Sequence, residues 1–72
     1  MNYRQIHRHW GSDEYSNRSA EVVYDGNKEI YIVNFYDKKR LVEARKMVTE
    51  GVAHSERYAE DAAENWCLGY IP

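Results

Sequence analysis

The stretch His54-Ser55-Glu56-Arg57-Tyr58-Ala59-Glu60-Asp61-Ala62-Ala63-Glu64-Asn65-Trp66-Cys67-Leu68-Gly69 decides how the rest of the chain is read. Ser55 suits an N-cap, because its hydroxyl can accept from an orphan N–H of the first turn. Glu56, Glu60 and Asp61 set negative charge near the positive end of a helix dipole. Ala59, Ala62, Ala63 and Trp66 recur at helical spacing and make one apolar stripe, flanked by Tyr58 and Leu68. Gly69 can take the left-handed position that ends a helix. The small alanines predict a close approach to a partner surface, with Trp66 as the anchor. The remainder of the chain should supply that surface.

Upstream, Ala20-Glu21-Val22-Val23-Tyr24 is a short β-type run, and Asp25-Gly26-Asn27 is a turn signal. Lys28-Glu29-Ile30-Tyr31-Ile32-Val33-Asn34-Phe35-Tyr36 is rich in β-branched and aromatic residues. Together they predict a hairpin. Residues 37–50 admit two readings. Asp37-Lys38-Lys39-Arg40 can be a second turn leading into a third strand from Leu41 to Thr49. Alternatively Asp37 caps a helix with Leu41, Ala44, Arg45 and Val48 on one face, which propensity favours. A lone hairpin is marginal and a third strand gives the final helix a platform, so the strand is preferred. Gly51 to His54 then connects into the helix.

The expected fold is α+β: a three-stranded antiparallel meander over residues 20–72 with one C-terminal helix on one face, the alternative being a hairpin plus two helices. Residues 1–19 read as an irregular or partly mobile arm, or else as a short strand or helix near Ile6 and Trp10 packed on the domain edge. Along the central strand Ile30, Ile32 and Tyr36 face one way, and Tyr31, Val33 and Phe35 the other. Both faces are apolar and one helix covers only one. A second copy of the chain is therefore expected, a homodimer meeting through Tyr31 or Phe35 with Trp10 from the arm.

The chain has 72 residues and a net charge of −2, which gives no bulk drive toward nucleic acid or anionic membrane. Residues 1–46 hold nine Lys/Arg against seven Asp/Glu, whereas residues 47–72 hold one against five. Cys67 stands alone, so no disulfide forms within the chain, and a reducing cytoplasm is expected. No apolar run is long enough to span a bilayer, and no signal-peptide pattern is present.

The second turn with its following strand, Asp37-Lys38-Lys39-Arg40-Leu41-Val42-Glu43, then His54-Ser55 and Tyr58-Ala59-Glu60-Asp61-Ala62-Ala63-Glu64-Asn65-Trp66, resembles uncharacterised small proteins of T4-like cyanophages. The resemblance covers roughly residues 20–72. It implies a phage-encoded protein acting in the cytoplasm of an infected host cell, and it carries no activity. The strands followed by an Ala-rich helix are also similar to the C-terminal half of double-stranded-RNA-binding domains. That family grips phosphate with lysines at the start of this helix, where this chain has Glu56, Glu60 and Asp61.

Chemical signatures are sparse. His7 and His9 would share a face on a strand and could hold zinc or copper with a third ligand such as His54, Cys67 or Asp13. With no second pair at ligand spacing, no metal site and no cofactor are expected. Cys67 and His54 sit roughly 20 Å apart along one helix and cannot act as nucleophile and base. Glu60, Asp61 and Glu64 read as a solvated acidic face or a docking surface for a basic partner. Lys38, Lys39 and Arg40 read as a solubilising turn tip, with contact to phosphate as the functional reading. The sequence thus favours a non-enzymatic protein-interaction module whose partner is a host or phage protein. The alternative is a nucleic-acid-binding module using the basic turn and nearby aromatics.

Overall fold

The computed structural model describes residues 3–70. Met1, Asn2, Ile71 and Pro72, which the sequence reading assigned to the arm and the domain, lie outside the described residues. The order is β1 (Tyr3–Trp10), a 3-10 turn (Asp13–Tyr15), β2 (Arg18–Asp25), β3 (Ile30–Asp37), β4 (Arg40–Lys46), β5 (Val48–Thr49), β6 (Val52–Ala53) and α1 (Glu56–Cys67). Strands β1 to β4 form one antiparallel sheet in sequence order, and β5 pairs with β6 in a small separate ribbon. No helix among the described residues is long and apolar enough to cross a membrane.

The α+β class and the C-terminal helix match the sequence reading, but the sheet has four strands. The fourth is β1, drawn from the expected arm. It pairs with β2 from Tyr3 opposite Asp25 to Trp10 opposite Ser19, with a register shift between Gln5 and His7. Residues 37–46 form a turn and a strand, so the middle helix is excluded: β4 pairs with β3 from Asp37 opposite Arg40 to Ile32 opposite Lys46. Cross-strand pairing outweighs the helix propensity of this segment.

Each hairpin turn is set by local chemistry. The buried Asp25 carboxylate accepts from the Asn27 and Lys28 N–H groups at 3.0 and 3.3 Å, an Asx-type turn between β2 and β3. Between β3 and β4, Lys38 and Lys39 both adopt positive φ, 54° and 67°. That is the backbone of a two-residue type I′ turn, whose right-handed twist matches the flanking strands.

The helix begins as its sequence predicts. The Ser55 hydroxyl accepts from the Tyr58 N–H at 3.2 Å. It ends in a Schellman arrangement: Gly69 N–H bonds the Trp66 carbonyl and Tyr70 N–H bonds the Asn65 carbonyl, with Gly69 at φ 83°. A side chain at Gly69 would collide with the Tyr15 ring, so the glycine is needed for packing as well as for conformation.

The core lies between α1 and one face of the sheet. Ala59, Ala63, Trp66 and Cys67 pack on Ala20, Val22, Val33, Phe35 and Met47. The Phe35 and Trp66 rings meet at 5.4 Å between centroids, tilted 57°, which suits the ring quadrupoles. The Trp66 indole N–H donates to the Tyr36 carbonyl at 3.1 Å. Arg18 stacks over the Trp66 ring and donates to the Trp66 carbonyl at 3.1 Å, neutralising the negative end of the helix.

Candidate binding face

The helix takes the face of β3 that carries Val33 and Phe35. Strand alternation therefore turns Ile32, Asn34 and Tyr36 the other way, with Ser19, Glu21 and Val23 beside them on β2 and Arg8 and Trp10 on β1. None of these residues belongs to the core between helix and sheet.

One end of the open face is shaped. Ser19 pairs with Trp10 on one side and Tyr36 on the other, so two aromatic rings flank a small residue in one cross-strand row. The Arg8 guanidinium lies 4.9 Å from the centroids of both rings. It donates to the Ser19 hydroxyl at 3.3 Å and stands 3.9 Å from the Glu21 carboxylate. Its Nε is buried with no hydrogen-bond partner. An unpaired buried N–H on a cation is costly.

Two loops wall this end. The Lys38 N–H donates to the Asn17 carbonyl at 2.9 Å, tying the β3–β4 turn to the β1–β2 connection. The resulting cleft of about 490 Å³ is lined by Arg8, Trp10, Ser16, Asn17, Arg18, Ser19, Tyr36, Lys38 and Lys39. Four of these are cations and none is a carboxylate. Trp10 is 69% exposed.

The sequence-predicted interaction residues fall on different surfaces. Trp10 is on the open face. Phe35 is only 1% exposed beneath the helix, and Tyr31 is half-buried on the same side, its hydroxyl donating to Glu56 at 3.3 Å. Phe35, offered for a pairing of two copies, is therefore withdrawn beneath the helix, whereas Tyr31 stays half-exposed beside Glu56, and Ile32 and Tyr36 lie on the other face. Asp61 and Glu64 are exposed on the helix, Asp61 3.9 Å from Arg57. Lys38 and Lys39 line the cleft, whereas the exposed Arg40 does not. Sequence reading missed Arg8 and Ser19, which only the β1–β2 register brings to the cleft.

Glu60 is not a free member of an acidic face. Its Oε1 accepts from His7 Nδ1 at 2.8 Å and from His9 Nε2 at 2.5 Å. Burial pushes the Glu60 carboxyl up, but the two imidazole hydrogen bonds and their charge prevail and hold it below the usual carboxylate range. The two imidazole rings lie 4.3 Å apart. His54 is engaged elsewhere, stacked on Tyr58 and bonded to the Thr49 hydroxyl at 2.7 Å. Cys67 is buried, which raises its thiol pKa against a smaller opposing effect of Arg18.

Comparisons with protein-family models, with curated proteins and with solved structures find no match to this chain.

Proposed function

We propose that the protein is a non-catalytic binding module whose open sheet face holds a single-stranded nucleic acid. The observation that carries this reading is the convergence of Arg8, Trp10, Tyr36, Lys38 and Lys39 on one cleft. Flat exposed rings accept bases by stacking, worth about 1–3 kcal/mol each, and adjacent cations track the phosphates. The cleft volume is that of a small-ligand site and suits one nucleotide, with neighbouring nucleotides running along the sheet. A duplex keeps its bases stacked on one another, so an unpaired strand is the fitting form.

Two features of the chain agree with this. The overall charge of −2 is unevenly distributed, and the cleft collects cations while the helix collects carboxylates. Both lysines of the turn hold a left-handed backbone that glycine or asparagine would adopt with less strain. Lysine at both positions favours charge at the tip over an easier turn.

The test is fluorescence anisotropy of a labelled oligothymidine with rising salt. Saturable binding is expected, falling with salt at a log–log slope near −0.7 per phosphate contacted, about −1.4 to −2.8 for two to four contacts. Trp10→Ala and the double change Lys38→Gln, Lys39→Gln should each weaken it. No binding at low salt, or binding indifferent to both variants, would overturn the reading.

A protein partner is the second reading. It is supported by exposed Leu41 beside Tyr36 and by Val23 and Ile32 on the same face, an apolar strip continuing away from the cleft. Action in the cytoplasm of a phage-infected host cell rests on the sequence resemblance.

A further inference from the structure

We infer that His7, His9 and Glu60 form a binding site for a divalent transition-metal ion, zinc above all. One ligand atom from each of the three lies within 4.8 Å of the others, and His7 Nδ1 and His9 Nε2 both face Glu60 Oε1. Around a tetrahedral zinc, ligand atoms about 2.0–2.2 Å from the metal stand about 3.3–3.6 Å apart. The two contacts to Glu60, now 2.8 and 2.5 Å, would open by about 1 Å as side chains rotate to admit the ion.

The supports are rigid. His7 and His9 occupy adjacent same-side positions on β1, fixed opposite Val22 and Ala20. Glu60 sits in the middle of α1, next to the fully buried Ala59 that anchors the helix on the sheet. The register shift at Gln5/His7 brings the His7 ring to the helix side of the sheet. Two imidazoles and one carboxylate make the three-ligand set typical of zinc sites that keep one position for water. Nitrogen donors of this kind select zinc, copper or nickel over magnesium and calcium.

The surroundings favour a cation. Helix α1 carries Glu56, Glu60, Asp61 and Glu64 against the single cation Arg57. His9 and Glu60 are shielded, with side chains 16% and 22% exposed, while His7 is 58% exposed and leaves a way in from solvent. In the metal-free protein both imidazole N–H groups aim at one oxygen, Glu60 Oε1. A metal ion would take the place of those two protons. Each neutral ring would then carry its proton on its other nitrogen, and a protonated ring would release one to solvent.

The sequence offers His54, Cys67 or Asp13 as a third ligand and, with no second pair at ligand spacing, the expectation is of no metal site. Glu60 is the third ligand that only the packing of α1 against β1 reveals. The site faces away from the cleft and does not depend on it.

The test uses untagged full-length protein stripped with a chelator and titrated with zinc chloride by calorimetry. One zinc per chain is expected, with a rise in melting temperature that magnesium does not reproduce. Cobalt should give the intense visible bands of a tetrahedral site. His7→Ala removes an exposed ring and should leave the fold intact. Its zinc affinity should fall by more than the 10- to 100-fold typical of losing an outer-shell partner. Glu60→Gln should do the same, and His54→Ala should change nothing. Absence of saturable zinc uptake, or uptake by His7→Ala at undiminished affinity, would overturn the site even if Glu60→Gln fails to fold.

Discussion

The Trp66 indole N–H donates to the Tyr36 carbonyl at 3.1 Å, so the anchor of the helix holds the strand residue whose ring lines the open cleft. Core and binding face are thus joined through one backbone group. Trp66→Ala should cost about 3–5 kcal/mol, much of the stability of so small a domain. Trp66→Phe should cost less, because it keeps packing on Phe35 while losing the hydrogen bond. Urea titration followed by circular dichroism measures both. Unchanged stability in Trp66→Ala would contradict the helix-on-sheet packing.

The β3–β4 turn predicts opposed effects on stability and binding. Replacing Lys38-Lys39 by Asn-Gly should raise stability by about 1 kcal/mol, because the left-handed backbone is then less strained. The same change should weaken oligonucleotide binding. Thermal unfolding and anisotropy on one preparation read both quantities.

At the helix start, Ser55→Ala removes the acceptor of the Tyr58 N–H. A loss of about 1 kcal/mol is expected, or about 4–8 °C in melting temperature for a domain this size. Ser55→Asp, which restores an acceptor, should recover it.

Cys67 gives a pH prediction with a definite sign. Burial raises its thiol pKa in the folded chain, so the folded state holds the proton more tightly than the unfolded one. The stabilisation is complete below the unfolded thiol value of about 8.5 and is lost as pH rises from there through the folded value. Stability of the native chain should fall over that range, and Cys67→Ser should flatten the fall. In the native protein a thiol reagent at pH 8 should react slowly, and rapidly once denaturant is added.

Several elements were readable because their signals are local. Ser55, the alanine stripe and Gly69 mark both ends of α1 and its buried side. Asp25-Gly26-Asn27 marks the first turn. β1 was harder, because only Ile6 of its residues packs on the core while His7 and His9 face the helix, and its register shift breaks the period of two. The histidines hydrogen-bond Glu60, and a partner more than fifty residues away leaves no local trace. On β3 the alternation was correct, but two apolar faces of similar size gave no means of choosing which one the helix takes. The cleft escaped notice for the same reason: Arg8, Ser19 and Tyr36 become neighbours only through strand register.

The link between His9 and Glu60 spans fifty-one residues, while every strand of the main sheet pairs with its neighbour in sequence. During synthesis the four strands can therefore zip up one after another through short loops. The side bearing Val22, Val33 and Phe35 stays wet until Glu56–Cys67 has left the ribosome. The newborn sheet is then sticky on both sides, and the emergence of α1 ends that interval on one of them.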